Sequence, residues 1–257
     1  MEFSYKEMKK KGKNVLVIVC LMGIAIGGQI IGTRIYERVV NTVGEKQNNE
    51  GEEKDSADQK SVESTQVEEG KVQIVLDSGH GGSDPGKVGI NGAEEKDINL
   101  SIAKKVEAKL KEKQITVFMT RTDEKGLANS KVEDMKTRVG MINENKPILA
   151  VSIHQNSYEQ ESIHGAQVFY YTHSEGGKEA AEYMQTSLLA VDAENKRQAK
   201  ANDTYYMLKR TEVPVIIVEC GFLSNRAEAE KLSTEEYQDQ IADAICNGIE
   251  IYLQTKS

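Results

Sequence analysis

The stretch that decides the fold runs from Val72 to Gly86 and reads VQIVLDSGHGGSDPG. It begins with the apolar residues Val72 to Leu76, which are typical of a buried strand. At Asp77 the pattern changes to a turn rich in glycine, a residue that tolerates positive φ angles and close backbone approach. His80 stands in this turn, near the carboxyl end of the strand, where open α/β sheets place their ligand sites. A glycine-rich turn can equally hold a phosphate, so the rest of the chain must decide its meaning.

Charge and composition exclude one class of partner. The chain has 257 residues and a net charge of −8. Residues 1–40 carry seven basic and three acidic side chains, a net charge of +4. Residues 41–70 carry three basic and nine acidic side chains, a net charge of −6. The remaining residues 71–257 therefore have a net charge of −6. Because nucleic-acid binding depends on clustered Lys and Arg, this acidic domain is not expected to bind nucleic acid.

The N-terminal part of the chain predicts attachment to a membrane. Residues 1–14 contain five lysines and predict a basic cytoplasmic segment. Residues 15–33 are mostly apolar, and as a helix they would nearly span the roughly 30 Å hydrocarbon core, which predicts a transmembrane signal-anchor. A cleaved signal peptide is the alternative, and both place the remainder outside the cytoplasm. Residues 34–70 predict a disordered acidic linker, because large apolar side chains are almost missing from 41 onward.

Residues 71–257 predict a single catalytic α/β domain in which strands and helices alternate. The predicted fold is a mostly parallel, twisted sheet flanked by helices on both faces. In the helix at 131–144, the packed side is expected to carry Val132, Met135, Val139 and Ile142. The predicted strands are 72–76, 115–120, 148–153, 166–171 (at an edge of the sheet) and 215–218, and the predicted helices are 95–113, 131–144, 178–189, 204–209 and 237–253.

Three predicted strands end near residues with metal-binding or acid–base chemistry, namely His80, His154 and Glu219. The carboxyl ends of parallel strands share one edge of a sheet, so these side chains are expected to meet there. Glu95 joins them from the first turn of the helix that follows the glycine-rich turn, where the helix dipole favours an ionised carboxylate. The sequence therefore predicts two imidazoles and two carboxylates at one edge.

This set of side chains suits a catalytic zinc site. Zinc hydrolases use three protein ligands, of which two His and one Glu form a known set, and leave a position for water. The metal lowers the pKa of water from about 15.7 toward ~7 and polarises a carbonyl oxygen, while a carboxylate that is not a ligand moves the proton. We therefore assign His80, Glu95 and His154 as Zn²⁺ ligands and Glu219 as the catalytic base.

Each of these assignments has a simpler alternative. His80 could hydrogen-bond within its own turn, and His154 could be a buried core histidine. Glu95 could be an ordinary charge at a helix N-terminus, with Glu94 as the ligand instead. Glu219 is harder to dismiss, because a carboxylate that follows four apolar strand residues needs a partner.

Other reactive or polar residues are interpreted as structural. By strand alternation Cys220 points to the face opposite that of Glu219, which indicates packing rather than a nucleophile. Cys220 and Cys246 are expected to be buried free thiols, a single bridge between them being the alternative. Asn225 with Glu228 predicts a cap at the start of a helix.

Four motifs in order add weight to the metal site. The chain resembles the zinc-dependent N-acetylmuramoyl-L-alanine amidases of the amidase-3 family over roughly residues 71–253. The motifs that carry this resemblance are LDSGHGG, EKDINL, SIHQN and VECGFLSN. The resemblance implies the zinc-ligand role for His80, Glu95 and His154 and the catalytic role for Glu219. It also implies that the substrate is peptidoglycan. The bond cut would be the amide between the lactyl group of N-acetylmuramic acid and the L-alanine of the stem peptide.

Within that family, the segments KVEDMKTRV, GAQVFYY and YMLKRTEVP are most similar to the germination-specific amidases of spore-forming bacteria. Those enzymes remove stem peptides so that muramic lactam can form in the spore cortex, which implies the same role and a location around the developing spore. Ser78 stands where the family usually has Pro, a change in turn stiffness that removes no ligand. The short stretch between Tyr171 and Glu219 implies an open site, without the inhibitory helix of some division amidases.

Two basic residues and the predicted open site indicate what the domain would bind. Arg197 and Lys200 are candidates for binding the anionic stem peptide, the alternative being a solvated helix face. An accessory protein, itself membrane-anchored, is a further expected partner for a solvent-open site with three ligands.

Three other functions remain as alternatives. The first is a two-His-one-carboxylate iron oxygenase, and the second is a non-catalytic membrane-tethered peptidoglycan-binding protein. The third is a serine hydrolase using Ser78 or Ser152, for which the G-x-S-x-G motif is missing.

Overall fold

A six-stranded sheet forms the centre of the folded domain. The computed structural model describes residues 71–256. The strands are β1 (Ile74–Ser78), β2 (Val117–Met119), β3 (Leu149–Asn156), β4 (Gln167–Tyr171), β5 (Lys200–Asn202) and β6 (Val215–Phe222). Their order across the sheet is β2-β1-β3-β6-β4-β5, and neighbouring strands are parallel except for β4 and β6. The sheet is therefore mixed. Strands β1, β3 and β6 are parallel as predicted, and the structure places them next to one another.

The predicted N-terminal segments 1–14, 15–33 and 34–70 lie outside the described residues. Within residues 71–256, no helix combines the length and the apolar character that crossing a membrane requires. The anchor and the linker therefore stay predictions.

Helices cover both faces of the sheet. They are α1 (Glu95–Glu112), α2 (Lys131–Asn145), α3 (Glu175–Leu189), α4 (Tyr206–Arg210), α5 (Arg226–Leu232) and α6 (Glu235–Gln254). Residues of α1, α3, α5 and α6 form one apolar cluster with Ile74 and Leu76, whereas residues of α2 and α4 form a second cluster with Val75. Because successive strand residues point to opposite faces, the apolar run of β1 contributes to both clusters.

The strand ends differ from the sequence prediction. β1 begins and ends two residues later than predicted, so that Asp77 and Ser78 belong to the strand and not to the turn. β3 and β6 both continue past their predicted ends, which places His154 and Glu219 inside strands rather than after them. The reason is that the two strands keep pairing, with His154 opposite Glu219 in the ladder.

Three other expectations are wrong. The strand at 166–171 is not at an edge, because β4 pairs with β6 on one side and with the short, unpredicted β5 on the other. Residues 197–200 form no helix face, since they lead into β5. Val132 is 64% exposed rather than packed. The first turn of α2 lies instead beside the loop after β1, where Lys131 Nζ is 2.7 Å from Asp84 Oδ1.

The structural interpretations of the remaining polar and sulfur residues are confirmed. Asn225 Oδ1 accepts a hydrogen bond from the backbone N–H of Glu228 at 3.0 Å, which caps α5. Cys220 and Cys246 are both buried and unbridged. Cys220 packs in the cluster below α1, on the face away from Glu219.

Replacing Gly248 with Ala is expected to destabilise the domain by about 1–3 kcal/mol. Gly248 lies on α6 where that helix meets α3, and a Cβ there would come 2.9 Å from the Cα of Met184. The matched control is Gly140→Ala on α2, where a Cβ meets no heavy atom within 4 Å. The control is expected to raise the free energy of unfolding by about 0.5–1 kcal/mol, because Ala has a higher helix propensity than Gly. Urea unfolding measures the free energy of unfolding of both variants. Equal changes in the two variants would contradict the close approach of α3 and α6.

Candidate metal centre and active site

The loop after β1 directs a histidine back toward the edge of the sheet. His80 has a φ of 63°, in the left-handed region that residues other than glycine rarely adopt. The imidazole of His154 lies directly on Gly79, where a Cβ would overlap the ring. A Cβ on Gly86 would come 2.6 Å from Cδ2 of His80 and 2.9 Å from Cβ of Glu95. Glycine at these two positions therefore lets the three side chains approach one another.

Two buried arginines hold the carbonyl groups of this loop. Arg138 Nη1 and Arg121 Nε donate to the carbonyl of Ser78 at 2.7 and 2.9 Å. Arg121 Nη2 donates to the carbonyl of Gly79 at 3.1 Å, and Arg138 Nη2 donates to that of His80 at 2.6 Å. A guanidinium presents several donors in a fixed plane, so two of them can fix three consecutive peptide groups.

Asp77 lies at the base of the loop and balances the charge of Arg138. It is fully buried, and it accepts hydrogen bonds from Arg138 Nη1 (2.7 Å), Thr120 Oγ1 (2.7 Å) and Ser152 Oγ (2.6 Å). Burial raises the pKa of Asp77, but Arg138 and the two hydroxyls outweigh burial and hold the pKa below its ordinary value. Ser152 is committed to Asp77 and hydrogen-bonds no histidine among the described residues, which weakens the serine hydrolase alternative.

Glu95 brings together the two histidines predicted as ligands. Its Oε1 lies 2.9 Å from Nδ1 of His154, and its Oε2 lies 3.3 Å from Nε2 of His80. The possible ligand atoms of the three residues all lie within 4.8 Å of one another. Asp84 Oδ2 lies 2.9 Å from Nδ1 of His80, and such carboxylates commonly orient metal-bound histidines. Two imidazoles and a carboxylate are donors that zinc accepts, so the residues present fit this ion.

The carboxylate of Glu95 is held in its ionised form. Burial raises the pKa of Glu95, but hydrogen bonds to His154 and His80 outweigh burial and keep the pKa far below its ordinary value. The backbone N–H groups of Gln155 (3.0 Å) and Lys87 (2.7 Å) also donate to this carboxylate. Burial lowers the pKa of His80, yet the neighbouring carboxylates raise it overall. Glu95 therefore offers an ionised carboxylate between the two imidazoles.

Glu219 lies beside this cluster in an environment that suits a base. It is 9% exposed, and its Oε2 is buried without a hydrogen-bond partner among residues 71–256. Burial raises the pKa of Glu219 to about 7, with Glu95 adding to the shift and His154 opposing it. A carboxyl group whose pKa is close to neutrality can both take up and release a proton. A cavity of about 210 Å³ lies beside Glu219 and is also lined by Tyr205 and Tyr206.

The remaining predicted site residues separate into three environments. Glu94 is not part of the His80–Glu95–His154 cluster, and its carboxylate lies 2.7 Å from Lys96 Nζ. Arg197 lies beside β4, where its Nη1 donates to Gln167 Oε1 at 3.0 Å. Lys200 is exposed on the short strand β5. Of the two candidates for substrate contact, only Arg197 is fixed by neighbouring side chains.

Known proteins are similar to the chain over most of the described residues. Residues 74–251 match the family model for N-acetylmuramoyl-L-alanine amidases, Amidase_3. The chain belongs to this family. As a family member, the amidase acts on cell-wall peptidoglycan. A germination-specific N-acetylmuramoyl-L-alanine amidase of Bacillus subtilis (strain 168) is 37% identical to it over 195 residues, which cover 73% of this chain and 81% of the relative.

Solved structures of related enzymes share the fold of the amidase. The CwlD amidase of Clostridioides difficile, solved in complex with the GerS lipoprotein, aligns with a TM-score of 0.69 and 38% identity. That alignment covers 71% of this chain and 98% of the CwlD chain. The catalytic domain of CwlV from Bacillus (Paenibacillus) polymyxa var. colistinus aligns with a TM-score of 0.64 and 31% identity, over 70% of this chain and 97% of that one.

The sequence motifs do not indicate the residues that support the site from outside the proposed ligand set. Asp84 lies four residues after His80 within the glycine-rich stretch 72–86, and the need of a metal-bound histidine for an acceptor could have indicated it. Arg121 and Arg138 carried no such signal, because charged residues are normally assigned to the surface. In the sequence Asp77 marks only the point where the strand pattern changes, and nothing there indicates its pairing with Arg138.

Replacing Glu219 with Gln is expected to stabilise the metal-free amidase, and more so at high pH. The raised pKa means that the folded protein keeps a proton which the unfolded chain has released between about pH 4.5 and 7. Stability is therefore lost as the pH rises through that window, and the full penalty is present above pH 7. Urea unfolding with a chelator should show a gain about 2 kcal/mol larger at pH 8 than at pH 5.

A buried glutamate with satisfied oxygens provides the control. Glu228 accepts hydrogen bonds from the backbone N–H groups of Gly165 (2.9 Å) and Phe222 (2.8 Å). Glu228→Gln is expected to destabilise the protein at both pH values, because an amide NH₂ would face a backbone donor. A stability gain in Glu219→Gln that does not change with pH would contradict the raised pKa.

Proposed function

We propose that the chain is a zinc-dependent hydrolase that cuts the amide between the lactyl group of N-acetylmuramic acid and the L-alanine of the stem peptide. The observation that carries this proposal is the placement of a buried, unpaired carboxylate, Glu219, beside the converging donors of His80, Glu95 and His154. The side chains of His80 and His154 are 25% and 18% exposed, so the cluster is accessible to a substrate. The amidase family supports the choice of bond.

The proposed roles follow from the environment of each side chain. His80, Glu95 and His154 would hold Zn²⁺, which when bound polarises the amide carbonyl and makes water more acidic. Glu219 would accept the proton of the attacking water, since it lies buried beside the cluster and its Oε2 has no hydrogen-bond partner among residues 71–256. Glu219 would then donate that proton to the alanine nitrogen as the amide bond breaks. Asp84 would keep Nε2 of His80 directed at the ion.

The position of the enzyme in the cell follows from the predicted N-terminal segments. We infer that the predicted helix at 15–33 holds the protein at the outer side of the membrane and that the predicted linker at 34–70 sets its reach into the wall. An accessory protein is part of this proposal. It is supported by the related CwlD amidase, which was solved in complex with the GerS lipoprotein.

We further infer that the enzyme acts on the spore cortex, where removal of stem peptides permits muramic lactam formation. This inference is supported by the germination-specific amidase of Bacillus subtilis, which is 37% identical to the chain. Mass spectrometry of cortex digests should show peptide-free muramic acid or lactam in spores with the protein and intact stem peptides in spores without it. Equal lactam content in both samples would contradict the cortex role.

Replacing Glu219 with Gln is expected to lower peptide release from peptidoglycan by at least about 1,000-fold, because the base that moves the proton is lost. The zinc content should stay near one ion per chain, since Glu219 is not assigned as a ligand. Peptide release is measured by chromatography and zinc by elemental analysis of the same sample.

The matched variant is His154→Gln, which should lose both zinc and activity. Activity of Glu219→Gln within tenfold of the parent would contradict the assignment of the base. Iron in place of zinc, together with oxygen consumption, would favour the oxygenase alternative.

A further inference from the structure

Arg197 lies close to the proposed base, on the side away from the metal cluster. Gln167, the first residue of β4, pairs directly with Glu219 of β6 in the antiparallel ladder. Directly opposed residues of such a pair place their side chains on the same face of the sheet. Arg197 Nη1 donates to Gln167 Oε1 at 3.0 Å. Across the sheet the order is therefore His154, Glu219, Gln167 and then Arg197.

The guanidinium of Arg197 is fixed on three sides. Its Nε donates to the carbonyl of His164 at 2.7 Å, and its Nη1 is held by Gln167. Its Cζ lies over the ring of Phe222, 4.6 Å from the centroid. Nη2 makes no hydrogen bond within residues 71–256. An arginine side chain held in this way has already lost most of its rotamer freedom, so a ligand that binds Nη2 causes little further ordering.

No carboxylate of the described residues lies within ion-pair distance of Arg197. The acidic group that influences it most is Glu228, and both oxygens of Glu228 accept hydrogen bonds from backbone N–H groups. Burial lowers the pKa of Arg197, as expected for a charge that is partly removed from water without an acidic partner. The domain has a net charge of −6, yet the guanidinium of Arg197 has no acidic partner among the described residues. It is therefore available to bind an anionic ligand.

The substrate carries such anions on one side of the scissile bond only. The carboxyl group of muramic acid is consumed in the amide itself, so the sugar side is uncharged there. The stem peptide retains free carboxylates from the residue after alanine onward. We propose that Arg197 binds the carboxylate of the stem-peptide residue that follows L-alanine, and thereby selects peptides in which this group is not amidated. This inference rests on the proposed amidase function.

The test uses two soluble glycan substrates whose stem peptides differ only at the second residue, which carries a free carboxyl group or its amide. The full-length, zinc-loaded parent is expected to show a kcat/KM at least about tenfold higher for the free acid, as a charge-assisted hydrogen bond implies. Arg197→Gln should lower kcat/KM for the acid by about tenfold or more and change it for the amide by less than about twofold. Arg197→Lys should retain part of the preference.

Lys196→Gln provides the matched control, because Lys196 is the adjacent exposed cation. Among residues 71–256 its Nζ donates only to the carbonyl of Ala193. Both substrates should be cleaved by this variant at parental rates. Equal losses on the two substrates in Arg197→Gln would overturn the inference and indicate a structural role in the loop. A parent that cleaves both substrates equally would also overturn it, while leaving the amidase function intact. A parent that cleaves neither would overturn both.

Discussion

The site depends on the burial of two arginines against the backbone of one loop. A guanidinium removed from water needs partners for its donors, and Arg121 and Arg138 find them in the carbonyls of Ser78, Gly79 and His80. The same carbonyls are themselves shielded from water, so each group satisfies the other. This mutual requirement explains how the unusual backbone of His80 persists.

The chemistry of the site could be predicted because it follows from sheet topology. Apolar runs in the sequence reveal β1, β3 and β6, and the rule that parallel strands share an edge brings together the side chains near their ends. His80 and His154 meet around Glu95 for this reason. The motifs of the family added the choice of Glu95 over Glu94, which composition alone could not make.

The rest could not be predicted, because it depends on contacts between distant segments. The packed face of α2 includes Arg138, which is buried although the apolar pattern did not assign it there, and excludes Val132, which the pattern did assign there. Nothing local indicates that three residues at 200–202 add a strand beyond β4. The extension of β3 past His154 exists only because β6 continues alongside it, and such pairing is invisible in a single sequence.

The pairing of His154 with Glu219 has a consequence for how this fold can diversify. Neighbouring strands are separated by about 4.8 Å, a spacing fixed by backbone hydrogen bonds and insensitive to loop length. The distance between His154, a proposed ligand, and Glu219, the proposed base, is therefore set by the pairing of β3 with β6. Insertions and deletions around the rim can reshape the cleft for other wall polymers while this distance stays constant. Evolution can therefore alter what the enzyme recognises without having to rebuild how it reacts.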